Sequence, residues 1–154
     1  MKLLNEFVIK GSPSTRTAQQ KGARVIGKHI IFYEKPEVTA EKDLLKAELM
    51  FHAPDKPYEG PICLRLMWLF DKKSMTKAED KTFMVTRPDV DNLAKGVIDC
   101  FSDCGFWDDD NIISKLDLIK GWSKTFPGLF VQIWEVGDTV DFETFVLDWR
   151  NRVT

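Results

Sequence analysis

Apolar residues recur at helical spacing most clearly just after position 90. Leu93, Val97, Phe101 and Cys104 follow one stripe with Ala94 and Ile98 beside them, while Asp91, Lys95, Asp99 and Ser102 fall on the opposite side. This predicts an amphipathic helix, started by Asp91 or Asp89 as N-cap and stopped by Gly105. A nearly unbroken apolar run predicts a strand over residues 61–70, and the alternation of Leu116 and Leu118 with Lys115 and Asp117 predicts another over 112–120. Strands are also expected over 2–10, 29–33 and 129–136, and a helix over 39–52 with Leu44, Leu45 and Leu49 turned inward. Thr82 to Thr86, rich in β-branched and aromatic residues, is an extended approach ended by Arg87-Pro88. Together these elements predict an α+β domain of two layers, helices on a mixed β-sheet, over residues 1–136. Residues 137–154 form a C-terminal helical tail starting at Asp138 or Thr139, with Phe142, Phe145, Val146 and Trp149 on one face. It is expected to pack back on the same domain, with a dimer or partner contact as the alternative.

Composition narrows the class without changing the fold. A chain of 154 residues, 44% hydrophobic, is one ordinary globular domain with room for a core. The strongest apolar run, Ile62 to Phe70, is short and interrupted by Arg65, so no membrane segment is expected and a soluble, cytoplasmic protein is. Three cysteines, Cys63, Cys100 and Cys104, are odd in number and lack Cys-x-x-Cys spacing, which argues against a disulfide framework or a zinc site.

The formal net charge is −2, yet its distribution is uneven. From Phe7 to Tyr33 no acid occurs, whereas Lys10, Arg16, Lys21, Arg24, Lys28 and His29 do. That segment is a candidate phosphate-contacting surface, and Gly22 and Gly27 predict a mobile, turn-rich loop ahead of the strand at 29–33. A second basic stretch, Lys72, Lys73, Lys77 and Lys81, is diluted by Asp71, Glu79 and Asp80 and is equally well explained as a solvated loop.

Acids concentrate elsewhere. Asp89 and Asp91 stand at the helix start, and Asp108-Asp109-Asp110 follows the helix directly before a strand. Hard divalent cations prefer oxygen ligands, so this pattern points to metal-assisted phosphodiester chemistry if the two groups meet. Lys95, one turn beyond Asp91 and roughly 6 Å along the same face, aims a cation at whatever the carboxylates bind. The ordinary alternatives are helix capping for Asp91 and Asp89, a solvated turn for the triple aspartate, and an intrahelical ion pair of Lys95 with Asp91 and Asp99. An EF-hand is excluded, because Ile113 and Ile119 occupy the glycine and glutamate positions counted from Asp108. A helix start and the following strand start meet only if the intervening loop folds back, and that closure is the expectation.

Arg87-Pro88-Asp89-Val90-Asp91-Asn92-Leu93-Ala94-Lys95, then Asp99, Gly105-Phe106-Trp107 and Asp109-Asp110, resembles the signature of RusA-type Holliday junction resolvases, the crossover junction endodeoxyribonucleases common in prophages. The resemblance implies that Asp89, Asp91 and Asp110 are the essential acids, with Asp109 completing the second pair, and that Lys95 is the catalytic cation. It implies Mg2+ as cofactor, with Mn2+ the alternative, and a homodimer making paired symmetric nicks in four-way junction DNA during recombination and repair. Lys10, Arg16, Lys21, Arg24 and Lys28 are the expected DNA contacts. Ile112 departs from the pattern, standing where the family commonly has glutamine. Two other classes are weighed against this one: a different Mg-dependent DNA phosphodiesterase acting on flaps or single strands, and a junction-binding protein without catalysis.

Overall fold

The computed structural model describes residues 1–17 and 20–153, apart from the side chains of residues 144, 145, 149 and 153. In chain order the elements are β1 (Lys2–Lys10), β2 (Lys21–Ile26), β3 (His29–Glu34), α1 (Pro36–Met50), β4 (Ile62–Phe70), α2 (Val90–Asp103), β5 (Ile113–Trp122), β6 (Gly128–Glu135) and α3 (Phe142–Val153). A short 3-10 turn, Asp110–Ile112, leads into β5.

β4 organises the molecule. Ile62, Leu64, Leu66, Trp68 and Phe70 alternate along it and are all at most 1% exposed, the period-two signature of a strand with one face in the core. It pairs antiparallel with β6 and parallel with β5, and β1 adds antiparallel to β6, so the sheet order is β1-β6-β4-β5. α2 is the crossover between the two parallel strands. It buries Leu93, Ala94, Val97, Ile98, Cys100 and Phe101 against this sheet, as its apolar stripe requires. The two-layer α+β expectation holds.

Three local expectations change. α1 starts at Pro36, whose fixed φ suits the first helical position. Val38 and Leu49 then supply the buried face, Leu45 is half-buried, and Leu44 is 70% exposed instead of turned inward. The supposed mobile loop contains β2, which pairs antiparallel with β3 through a turn at Gly27, where φ is +61°. Tyr33 lies over Gly22, where a Cβ would stand 2.3 Å from the ring. This hairpin leaves Val25, Ile26, Ile30 and Phe32 exposed.

All three cysteines are buried and unpaired, and burial pushes the Cys100 thiol up to about 11. The tail helix begins at Phe142, later than Asp138 or Thr139. Its described apolar side chains Phe142, Val146 and Leu147 stand partly or largely exposed, while Phe145 and Trp149 of the expected face lie outside the described side chains. Among the described residues, no helix is long and apolar enough to cross a membrane.

Candidate active site

α2 begins at Val90 with Asp89 in the N-cap position, extended at ψ 144°, and Asp91 lies within the first turn. Asp89 makes no side-chain capping bond, so capping does not account for its carboxylate. What fixes this turn comes from elsewhere. The Lys120 ammonium on β5 donates to the carbonyl of Thr86 at 2.7 Å and to that of Pro88 at 2.6 Å. The approach is also tied to β5 by the Met84 amide donating to the Lys120 carbonyl and the Trp122 amide donating to the Thr82 carbonyl. The expected extended segment therefore lies along the β5 edge, bridging at Phe83 and Gly121. Lys120 was not singled out by its sequence pattern; alternation alone makes it one more polar residue on a strand.

The far end of α2 is fixed as firmly. The amide of Gly105, at φ +77°, donates to the Ser102 carbonyl, and that of Phe106 donates to Phe101. These two bonds form a Schellman motif. Its apolar contact is present too, since the Phe101 and Phe106 rings meet edge-on at 4.6 Å. Trp107 stacks on Phe101 at 5.3 Å, and its indole N–H donates to the Ser102 hydroxyl at 2.8 Å. This anchor delivers the acidic turn to a set place. Asp109 caps the 3-10 turn by accepting the Asn111 amide at 3.0 Å, leaving Asp108 and Asp110 exposed.

The two acidic groups occupy opposite ends of the helix. β5 runs parallel to β4 with Ile62 beside Ile113 and Phe70 beside Trp122, so Asp110 precedes the start of β5 while Lys120, near its end, holds the turn before Asp89. The 14 residues of α2 span about 21 Å between them. The expected fold-back does not occur, because the Schellman turn sends the chain directly into the parallel strand. Accordingly, among the described residues no three His, Cys, Asp or Glu side chains gather closely enough to hold an ion. Asp89 and Asp91 are brought together; Asp110 and Asp109 are not brought to them within one chain.

Lys95 is exposed on α2 and forms no ion pair with Asp91 or Asp99 among the described residues. The expected DNA contacts Lys10, Arg16, Lys21, Arg24 and Lys28 are all exposed. Lys10 ends β1 beside Gly128, which also pairs with Leu69 near the end of β4. The acid-free segment thus begins at the Asp89 end of the sheet. Arg16 is engaged with Glu41 at 2.8 Å.

A mixed α+β domain that presents an uncommitted carboxylate pair at a helix start, beside a basic segment, belongs to the class of proteins that handle phosphate backbones. Residues 10–134 match the endodeoxyribonuclease RusA family, and the chain belongs to it. It is also 30% identical over 120 residues to the crossover junction endodeoxyribonuclease rusA of Lactococcus phage r1t, a match covering 78% of this chain and 88% of the phage protein.

Proposed function

We propose that the chain is a divalent-metal-dependent, structure-specific endodeoxyribonuclease that resolves four-way DNA junctions by paired nicks, acting in the cytoplasm. The observation that carries this reading is the clamped helix start, where Asp89 and Asp91 are exposed and free of capping duty, together with family membership. The donor chemistry fits a hard cation, since Asp89, Asp91 and Asp110 offer carboxylate oxygens, and Mg2+ or Mn2+ would suit them. When bound, the ion supplies Lewis acidity that polarises the scissile phosphate and lowers the pKa of water. Lys95, without an internal ion pair, neutralises charge developing on the phosphate as the bond to the 3′ oxygen breaks. Lys120 holds the turn that aims Asp89 and touches no substrate. Lys10, Lys21, Arg24 and Lys28 supply phosphate contacts that carry no sequence information.

The separation of Asp110 from Asp91 supports a homodimer as the working unit. A two-fold axis that runs the α2 helices of two copies antiparallel brings the acidic turn of one protomer against the helix start of the other. It also supplies the two equivalent sites that paired nicking needs. The exposed apolar hairpin residues add a surface of the kind that isolated monomers seldom leave open.

Cleavage of a labelled mobile four-way junction with Mg2+, beside linear duplex and flap controls, tests the reading. The wild type is expected to nick junctions symmetrically. Asp91→Asn is expected to lose about a thousandfold in rate, equivalent to roughly 4 kcal/mol, while still binding the junction. Equal cutting of flaps and duplex, or full activity of Asp91→Asn, would refute it.

A further inference from the structure

A cleft of about 470 Å³ opens between α1 and α2 over the sheet, beneath the loop that follows β1. Its size is that of a small-ligand site, roughly 300–1,000 Å³. Trp68, Leu93 and Val97 line its apolar part, with Lys10 and Asn92 among its polar residues. Asn92 is the residue after Asp91, so the cleft begins next to the carboxylates. Its side-chain amide makes no hydrogen bond to any described residue.

Gly96 lies one helical turn beyond Asn92 and also lines this cleft. A Cβ at Gly96 would have no atom within 4 Å, so no packing inside the chain requires glycine there. Glycine in a helix interior is destabilising relative to alanine. The cost has a purpose if something outside the chain approaches the helix backbone at this point. The acids lining the same cleft do not oppose an anion equally: Glu41 is neutralised by Arg16 and accepts from Ser14, whereas Glu48 is exposed toward the far end of α1.

We infer that this cleft receives one unstacked nucleobase of the DNA strand being cut, with Gly96 giving it room, the Asn92 amide reading its edge and Lys10 meeting its phosphate. An amide pairs donor and acceptor with a base edge in the way that Asn does with adenine, and each such pair discriminates between bases. The apolar walls accept a base face of any sequence. The cleft would therefore set where along an opened junction the enzyme cuts. This rests on the nuclease reading above and deepens it.

The test uses the full-length, metal-free protein and four-way junctions carrying 2-aminopurine at successive positions around the crossover, followed by cleavage-site mapping with Mg2+. Gly96→Leu puts a branched side chain into the cleft and raises helix propensity, and Gly96→Ala adds only a Cβ, which meets no atom within 4 Å; thermal melts check that both fold. Wild-type binding is expected to enhance emission at one nucleotide position. Gly96→Leu is expected to abolish that enhancement and to flatten site preference by about tenfold, with Gly96→Ala intermediate and junction affinity within about threefold, since phosphate contacts dominate affinity. A wild type that binds and cuts junctions, with folded Gly96→Leu giving the same emission and cleavage map, overturns the base-binding cleft alone. A wild type that neither binds nor cuts junctions overturns the nuclease reading and the cleft with it.

Discussion

At the scale of single residues, the side chain that fixes the turn before α2 is Lys120. It makes two charge-assisted bonds to backbone carbonyls immediately before Asp89. Lys120→Met is expected to cost about 1–2 kcal/mol of stability, toward the lower part of the range for bonds from charged donors because the group is partly exposed. Urea denaturation checks this, and cleavage should fall further than junction binding because the helix start loses its aim. Nothing local in the sequence marks Lys120; its role depends on the antiparallel bridge of Phe83 with Gly121, which links residues more than thirty positions apart. Asp109 shows the converse. Its spacing nominates it as a partner of Asp110, and its local role is visible in the chain beside it: Oδ1 accepts the Asn111 amide, an Asx arrangement common in such turns.

At the scale of elements, α2 was readable because burial, polarity and stop signal agree along one continuous stretch. Leu93, Val97 and Phe101 are buried as their spacing requires, and Gly105 takes the left-handed conformation that ends the helix. Gly105→Ala is expected to lower stability by about 1–2 kcal/mol through backbone strain, since a Cβ there meets no neighbour; a thermal melt measures it. β2 was unreadable for the opposite reason. Apart from Gly22 its residues are exposed, so no alternation between core and solvent is written into it. The hairpin is attached to α1 through Glu34, which accepts from Lys42 at 2.6 Å and Thr39 at 2.7 Å. The Lys42 bond, then the Thr39 bond, lower the Glu34 pKa below its ordinary 4.5. The stabilisation is therefore present above that value and is lost as pH falls through the lowered one. Glu34→Gln is expected to melt earlier than wild type at pH 7, by no more than about 1 kcal/mol for so exposed a pair, and the difference should vanish in acid.

At the scale of the whole molecule, the sequence identified the acidic residues and the family but could not say which end of the helix the chain returns to. The loop after Gly105 carries no signal for direction; only the pairing of Ile62 with Ile113 decides it. A composite site across two copies makes a sharp prediction. Asp91→Asn and Asp110→Asn proteins, each inactive alone, are expected on mixing and subunit exchange to regain single-strand nicking, because each mixed dimer keeps one intact combination. No recovery, with exchange confirmed, would place the site within one chain. The same fold hides its thiols. With Cys63, Cys100 and Cys104 buried and the Cys100 thiol raised to about 11, a thiol reagent at neutral pH should react only after denaturation.

The length of α2 then acquires a meaning beyond its own hydrogen bonds. Inserting one turn, four residues, would move the acidic turn about 6 Å along the axis, and the crossover could absorb it with the sheet unchanged. The partner's helix start could not follow. In the proposed dimer the helix would serve as a ruler, with the count from Asp91 to Asp110 set by the assembly as much as by the fold, so insertions there are expected to be costly to cutting even in a chain that still folds.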